Sequence, residues 1–370
     1  MSYLDHLYVV ILCGGTGTRV WPLSMKKKPK QFLNFYEDRT LFQGALFRAT
    51  NLVSPDKVIL VTNQKYVAEL KKEAPQVPDQ NIIAETEKKN TAMAMGVAAA
   101  WAAKKDPEAV LINLPSDHVV QDTALFTKTM QTAAQIAFEK RQIVTVGIEP
   151  SYPHPGFGYI QVDGQLGQIN DLPYSKVHSF KEKPDIPTAQ KYLESGNYLW
   201  NAGFYIWRSD VVAKEFKRLC PDISQNIQNL AKAFGSPDEK QVLQKEYAAV
   251  REESIDFAIA EKTDKLLVVP GRFDWNDVGS WQVVYELGKK DDQQNVFVQN
   301  IDRNCQPPIE TYQTTGSLIY YTDNPIAVIG LKDIIVVDTG SGILVCNRHQ
   351  SNDVKKIVES LKAKKLEQYL

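Results

Sequence analysis

The feature that most constrains this chain is an alternation of continuous apolar runs with helical stretches through about the first 285 residues. Strands are predicted at residues 7–12, 57–62, 109–113 and 143–147. Because these runs are apolar throughout, helices must cover both faces of the sheet that they form. Helices are predicted at 91–105, after a cap at Asn90, and from Asp122 to Lys140. Such alternation predicts a doubly wound α/β domain with a mixed, mainly parallel sheet.

The middle and the end of the chain have different patterns. Residues 157–163, 176–181 and 203–207 are partly alternating, which predicts antiparallel additions to one side of the main sheet. Helices are expected at about 209–219, 237–250 and 254–262. Later strands are predicted at 317–321, 325–329, 333–338 and 342–346, followed by a helix over about 352–368. This spacing is typical of a small all-β domain or a short solenoid. We therefore expect two domains, at 1–288 and 289–370.

Composition restricts the partners of the chain. Its 370 residues carry a net charge of −1, which gives no bias toward nucleic acid or an anionic membrane. The four cysteines are scattered and form no CxxC pair, so neither a zinc site nor a disulfide framework is indicated: Cys13, Cys220, Cys305 and Cys346. The apolar run at 7–13 is far shorter than the roughly 20 residues that span a bilayer. The sequence predicts a cytoplasmic protein with no nucleic-acid or membrane partner.

A glycine-rich turn follows the first predicted strand directly, with the sequence CGGTGTR from Cys13 to Arg19. Glycines let backbone N–H groups approach a phosphate closely, and ligands bind at this edge of such sheets. Arg19 and Lys30 add cations, a combination that suits a triphosphate. A dinucleotide fingerprint is excluded because Val20 stands where its third glycine belongs, and a Walker motif is absent. A purely structural turn stays open, and the basic run 26–30 can also be a solvated face or a nuclear address.

Two acidic segments can provide metal ligands. Asp117 follows the strand predicted at 109–113, at the sheet edge that faces the glycine turn. Carboxylates suit Mg²⁺, which binds through one or two of them together with substrate phosphates. Asp117 can equally cap the next turn, and His118 is expected to be a hydrogen-bonded neighbour. The second segment is FDWNDVGSW, residues 273–281. Its Asp274 can cap the following helix, which leaves Asp277 free.

Six motifs, in order along the chain, resemble those of the sugar-phosphate nucleotidyltransferases. They are GGTGTRVWPLS with PKQFL, then LPSDH, GFGYI, FKEKP, WNAGF and FDWNDVGSW. The WPLS and PKQFL forms resemble the mannose-1-phosphate guanylyltransferases in particular. The resemblance covers about residues 7–285 and implies a Rossmann-like, GT-A-like catalytic domain. It is to a short form without the isomerase domain, since only about 80 residues follow, and their strands fit a short left-handed β-helix.

The resemblance implies transfer of GMP from GTP to α-D-mannose 1-phosphate, giving GDP-mannose and pyrophosphate in a homodimeric enzyme. It implies Mg²⁺ held by Asp117 and Asp277, and catalytic roles for Arg19, Lys30, Asp117 and Lys183. In the family, the arginine steadies the leaving pyrophosphate and the lysine of PKQFL holds the α-phosphate region. The implied nucleotide-binding residues are Leu12, Gly14, Gly15, Gly17, Thr18, Arg19, Lys30, Glu85, Asn90, Thr91 and Ser116. The implied sugar-phosphate residues are Gly158, Glu182, Lys183 and Asn201.

Recognition of the base departs from the family pattern. Where the family commonly reads RNTAPA, this chain has Lys89 for the arginine and Met93 for the proline. Glu85 is the candidate that accepts the N1–H and 2-amino donors of guanine, although a charged loop with a helix cap is the alternative. Two other functions also stay open. One is the same chemistry with another sugar 1-phosphate (glucose or heptose) or another nucleotide, and the other is a non-catalytic regulatory subunit that binds a sugar nucleotide.

Overall fold

A computed structural model describes residues 2–15, 17–25, 29–35, 38–299 and 307–370 of the chain. Cys305 and most of the basic run, residues 26–28, lie outside these ranges. The chain forms two compact units. The large unit comprises the residues up to Gly14 together with 45–116 and 120–275, and the small unit comprises 15–44, 117–119 and 276–370.

The elements follow one another as strands and helices with short 3-10 turns between them. The strands are β1 (Leu7–Cys13), β2 (Val58–Asn63), β3 (Ile82–Glu85), β4 (Val110–Pro115), β5 (Val119–Val120), β6 (Ile143–Ile148), β7 (Tyr159–Ile169), β8 (Leu172–Lys181), β9 (Tyr198–Arg208), β10 (Leu266–Gly271), β11 (Trp275–Asn276), β12 (Val296–Gln299), β13 (Ile309–Tyr312), β14 (Leu318–Tyr321), β15 (Ile326–Ile329), β16 (Ile334–Asp338) and β17 (Ile343–Asn347). The helices are α1 (Leu41–Thr50), α2 (Val67–Glu73), α3 (Asn90–Lys105), α4 (Thr123–Lys140), α5 (Ile186–Ser195), α6 (Ser209–Leu219), α7 (Pro221–Ala233), α8 (Glu239–Ala249), α9 (Trp281–Leu287) and α10 (Val354–Ala363). None of the described helices is long and apolar enough to cross a membrane.

The large unit is built on a nine-stranded sheet in the order β3-β2-β1-β4-β9-β6-β10-β8-β7. Strand β1 pairs in parallel with β2 and β4, and β10 pairs in parallel with β6. The predicted α/β class with a mixed sheet is therefore confirmed. The antiparallel strands were expected on one side, and this is wrong for β9, which lies between β4 and β6 and is antiparallel to both. The aromatic residues in its C-terminal half, such as the fully buried Trp207, pack within the core.

Two predicted helix starts have different outcomes. The start at Asp122 is confirmed, because Asp122 caps α4 and its side chain accepts the N–H of Leu125 at 2.8 Å. The cap at Asn90 is wrong, since α3 begins at Asn90 itself, with φ of +65°. Its Oδ1 accepts the N–H of the next residue, Thr91, at 2.9 Å, and asparagine tolerates this left-handed conformation better than most residues.

The helix predicted at 254–262 is shorter and wider than expected. The structure has a five-residue π-helix there, Asp256–Ala260. The segment before it is tied to the start of α3, because the Thr91 hydroxyl accepts the N–H of Ile255 at 2.9 Å. Helices of this type are rare and are found often at functional sites.

The small unit contains the predicted C-terminal strands. Strands β12, β14, β16 and β17 form one sheet, parallel except for β17, and β13 pairs in parallel with β15. Its core includes the fully buried Trp281 of α9 together with Val20 and Leu33 from the N-terminal segment. The Trp281 indole N–H donates to the backbone oxygen of Trp21 at 3.0 Å. These contacts fix the segment that follows the glycine turn within the small unit.

Candidate functional site

The glycine turn is accessible and its shape depends on a glycine. Gly14 and Gly15 are exposed. Gly17 has φ of +62°, and a Cβ there would lie 2.4 Å from the Lys30 Cβ and 2.9 Å from the Ser24 Oγ. Any side chain at this position would therefore be strained and would collide with Lys30. Thr18 follows at the surface and is partly exposed.

Within the small unit, Lys30 contacts both residues that were predicted to bind the metal. Only 6% of the residue is exposed. Its ammonium donates to the Asp117 Oδ2 at 2.9 Å and to the backbone oxygen of Asp277 at 2.6 Å. Burial by itself would raise the pKa of Asp117, but the Lys30 ammonium and His118 hold that pKa below its usual value. The structure thus brings together three residues that the sequence analysis assigned to one site.

Asp277 and Arg19 both lie close to Gly279, in the turn before α9. The Asp277 Oδ1 accepts the N–H of Gly279 at 3.1 Å, and a Cβ on Gly279 would lie 3.3 Å from the Arg19 Nη1. The expectation that Asp274 caps the following helix is wrong, since α9 begins at Trp281 with Ser280 in the cap position. Asp277 was expected to be free, but its Oδ1 is bonded to the backbone of this turn. Its second carboxylate oxygen takes no part in that bond.

The donor set in the small unit suits the Mg²⁺ that the family resemblance implies. A Cβ on Gly15 would lie 3.8 Å from the Asp117 Oδ2, so the glycine turn runs beside this carboxylate without a side chain between them. Within the described ranges, no group of three or more histidine, cysteine or acidic side chains could hold a metal. Mg²⁺ commonly takes only one or two carboxylates and fills its other positions with phosphate oxygens and water. Asp117 and Asp277 fit that pattern.

A second cluster of predicted residues lies in the large unit, at the end of β8. The Lys183 ammonium pairs with the Glu182 carboxylate, and the lysine side chain is 59% exposed whereas that of the glutamate is 9% exposed. A Cβ on Gly158 would lie 2.6 Å from the Glu182 Oε2, so only glycine allows the carboxylate its present position. Burial raises the pKa of Glu182, and the charge of Asp256 raises it further. The structure thus brings Gly158, Glu182 and Lys183 together.

The amide of Asn201 contacts protein groups on every side. Its Oδ1 accepts from the Thr145 hydroxyl at 3.0 Å and from the Gly203 N–H at 3.2 Å. Its Nδ2 donates to the Tyr205 hydroxyl and to the Asp256 Oδ1, each at 3.2 Å. An amide has two donor hydrogens and two acceptor lone pairs, so these four bonds fill its capacity. Asn201 therefore orients neighbouring side chains in this structure, whereas the resemblance implied that its amide contacts the sugar.

Asp256 is a residue of this cluster that the sequence analysis missed. Its Oδ1 accepts from the Tyr205 hydroxyl at 2.7 Å, in addition to the Asn201 amide. Burial raises the pKa of Asp256, although the Tyr205 hydrogen bond opposes this. An acidic residue in the first turn of a helix is common, because it interacts favourably with the helix dipole. Nothing in the local sequence distinguished Asp256 from such a residue.

Five further residues that were predicted to bind the nucleotide lie in the large unit. Glu85 is 7% exposed at the end of β3, and burial raises its pKa to about 7, partly opposed by the Tyr247 hydroxyl and Lys88. Asn90 is exposed and Thr91 is partly exposed. Ser116 is 2% exposed, and its N–H donates to the backbone oxygen of the half-buried Leu12 at 3.2 Å.

Comparison with known proteins gives a consistent assignment. The family model for nucleotidyl transferases matches residues 8–294, and that for the MannoseP isomerase/GMP-like beta-helix domain matches residues 311–361. Mannose-1-phosphate guanylyltransferase 2 of Escherichia coli O157:H7 is 35% identical over 98% of this chain and 75% of its own length. Mannose-1-phosphate guanylyltransferase of Escherichia coli K12 is 34% identical over 97% and 74%, respectively.

A solved structure extends the similarity to the whole fold. The crystal structure described as mannose-1-phosphate geranyltransferase from Thermus thermophilus superimposes with a TM-score of 0.85 at 28% identity. The match covers 96% of this chain and 99% of that one. The β-helix expected for the C-terminal strands agrees with the matching domain model, while its left-handedness stays a prediction. On the extent of these matches, the chain belongs to the nucleotidyl transferase family, among the mannose-1-phosphate guanylyltransferases, and is a nucleotidyltransferase.

Proposed function

We propose that the chain transfers GMP from GTP to α-D-mannose 1-phosphate, giving GDP-mannose and pyrophosphate. The observation that carries this proposal is the contact of Lys30 with both Asp117 and Asp277 beside an exposed glycine turn. A buried ammonium and two acidic residues beside open backbone are the groups that a triphosphate with its metal requires. The names of the relatives support mannose 1-phosphate and a guanine nucleotide as substrates.

The small unit supplies most of the groups for the triphosphate. Backbone N–H groups of the glycine turn wrap the phosphates, and Leu12 and Ser116 also contact the nucleotide. Arg19 steadies the negative charge on the departing pyrophosphate, and Lys30 holds the α-phosphate region. Asp117 and Asp277 hold Mg²⁺, which when bound neutralises phosphate charge and orients the triphosphate.

The large unit supplies the groups for the sugar phosphate and the base. Gly158 and Glu182 receive the sugar hydroxyls, while Lys183 meets the phosphate. Asn201 acts on the sugar through the side chains that it orients. Glu85 accepts the two adjacent donors of guanine, and Asn90 and Thr91 lie next to that contact. We also propose that residues 1–288 constitute the catalytic domain and 289–370 the C-terminal domain. The proposed enzyme is a cytoplasmic homodimer.

The chemistry needs no covalent intermediate with the protein. A phosphate oxygen of the sugar phosphate attacks the α-phosphorus of GTP in line, and the bond from that phosphorus to the bridging oxygen breaks. The electron pair leaves with pyrophosphate. Orientation of the two substrates and neutralisation of charge by Arg19, Lys30 and Lys183 provide the acceleration.

A pyrophosphate-release assay tests the proposal. GTP, ATP, UTP and TTP are each paired with mannose 1-phosphate, glucose 1-phosphate and a heptose phosphate, with Mg²⁺ present. The largest kcat/KM is expected for GTP with mannose 1-phosphate, and an Asp117→Asn preparation controls for contaminating enzymes. A clear preference for another pair would replace the proposed substrates. Nucleotide binding without pyrophosphate release in any pair would indicate the regulatory-subunit alternative.

A further inference from the structure

The carboxylate of Asp256 occupies a fixed position in the large unit. Asp256 begins the π-helix Asp256–Ala260, and the N–H of the preceding residue, Ile255, donates to the Thr91 hydroxyl. Its Oδ1 receives two hydrogen bonds, from Tyr205 and from Asn201. π-Helical turns are frequent at functional sites, and functional side chains are commonly held by supporting hydrogen bonds of this kind.

Asn201 connects Asp256 with the predicted sugar-phosphate residues. A Cβ on Gly158 would lie 3.3 Å from the Asn201 Cβ and 2.6 Å from the Glu182 Oε2. The Gly158 backbone oxygen also accepts the Asn201 N–H at 2.8 Å. Asn201 therefore contacts Asp256 through its amide and lies beside Glu182 through the backbone of Gly158.

The charges that face Glu182 are unbalanced. Lys183 is the cation paired with it, while Asp256 and Glu261 are acidic and Tyr205 is a buried phenol. Glu261 also accepts the backbone N–H of Glu182 at 3.0 Å. Burial, Asp256 and Glu261 all raise the pKa of Glu182, and burial raises that of Asp256. Two carboxylates in such surroundings ionise in a coupled way, so that the first charge disfavours the second.

We propose that Asp256 is a positioning residue for Glu182, because its carboxylate, fixed by Tyr205 and Asn201, sets the charge with which Glu182 meets the hydroxyls of a sugar phosphate. An ionised Glu182 accepts two vicinal hydroxyls well, whereas two adjacent ionised carboxylates would repel the phosphate of the same ligand. Asp256 therefore tunes the pH range in which the site binds its ligand. This inference rests on the proposed function, since it takes the sugar phosphate to bind at Glu182.

The test is the Asp256→Asn variant, which keeps the shape and the acceptor for Tyr205 but removes the charge. Binding of α-D-mannose 1-phosphate is measured by calorimetry from about pH 5 to about pH 8. Without the charge of Asp256, the pKa of Glu182 falls, so the acidic limb of the binding profile should shift to lower pH. At the acidic end, the variant should bind the sugar phosphate several-fold more tightly than the wild type. Titration of the ligand's own phosphate is common to both proteins and cancels.

Glu261→Gln is the matched control. It keeps the hydrogen bond to the Glu182 backbone and removes the acidic charge that ranks below Asp256 in its effect on Glu182. We expect a smaller shift in the same direction, and this variant also tests the idea if Asp256→Asn does not fold. A profile that keeps its wild-type midpoint in both variants would overturn the proposal.

Failure of the proposed function has a different signature. If the wild type binds no mannose 1-phosphate, the sugar phosphate identified in the pyrophosphate-release assay is used as the probe. If no sugar phosphate binds at any pH, the proposed function itself is wrong. GTP binding by Asp256→Asn should stay at the wild-type level, and an equal loss for both ligands would mark Asp256 as merely structural.

Discussion

Replacing Glu85 by glutamine should stabilise the protein at alkaline pH. The Glu85 side chain ends β3, and its Oε1 is buried with no hydrogen-bond partner in the part of the chain that the structure describes. Burial raises the pKa of Glu85 from 4.5 to about 7. A buried carboxylate whose charge is only partly compensated is costly to the folded state. Glutamine keeps nearly the same shape and removes that charge.

The magnitude follows from the difference between the folded and unfolded pKa of Glu85. The folded chain holds the proton more tightly, so this contribution favours folding below the unfolded pKa and is lost as the pH rises through about 7. Each pKa unit corresponds to about 1.4 kcal/mol. Between about pH 5 and about pH 8, the wild type should lose about 2 to 3 kcal/mol of unfolding free energy relative to Glu85→Gln.

The assay is urea denaturation of both proteins at several values of pH, with the difference in unfolding free energy as the readout. The same substitution at the exposed Glu252 is the control, and its effect should stay small and constant. A difference between Glu85→Gln and the wild type that does not change with pH would refute the reasoning. If Glu85 also reads guanine, the stabilised variant should lose affinity for GTP, since an uncharged amide replaces the acceptor of two donors.

Three further substitutions test the site. Arg19→Ala should lower turnover by about 10² to 10³ with an unchanged circular dichroism spectrum, and an undiminished rate would remove Arg19 from catalysis. Gly158→Ala should raise the KM for the sugar phosphate more than that for GTP, because a Cβ 2.6 Å from the Glu182 Oε2 displaces the carboxylate. An equal change in the two KM values would contradict this role. Asp117→Asn should weaken Mg²⁺ binding measured by calorimetry in the presence of GTP, while Lys30 also loses its charged partner; unchanged Mg²⁺ affinity would exclude Asp117 as a ligand.

The sequence was sufficient for the local features of this protein. The continuous apolar runs predicted β1, β2, β4 and β6 of the large unit, because burial on both faces leaves no polar alternation. The glycine turn was recognisable because glycine adopts the φ of Gly17 without strain and, having no side chain, leaves room for Lys30. The family resemblance then assigned roles to Glu182, Lys183 and Asp277. In the structure, Glu182 pairs with Lys183 in the large unit, and Asp277 contacts Lys30 in the small unit.

Tertiary structure decided which groups each side chain meets. The strand period predicted β9 but not its central position, because pairing partners depend on the topology of the whole sheet. Asn201 was expected at the sugar, yet its amide is filled by protein groups that come from separate elements. Asp256 had no local signal, because its role depends on a π-helix that brings it to Tyr205, 51 residues away in the sequence. Periodicity encodes which face of an element is buried, whereas a hydrogen-bond network exists only when distant elements meet.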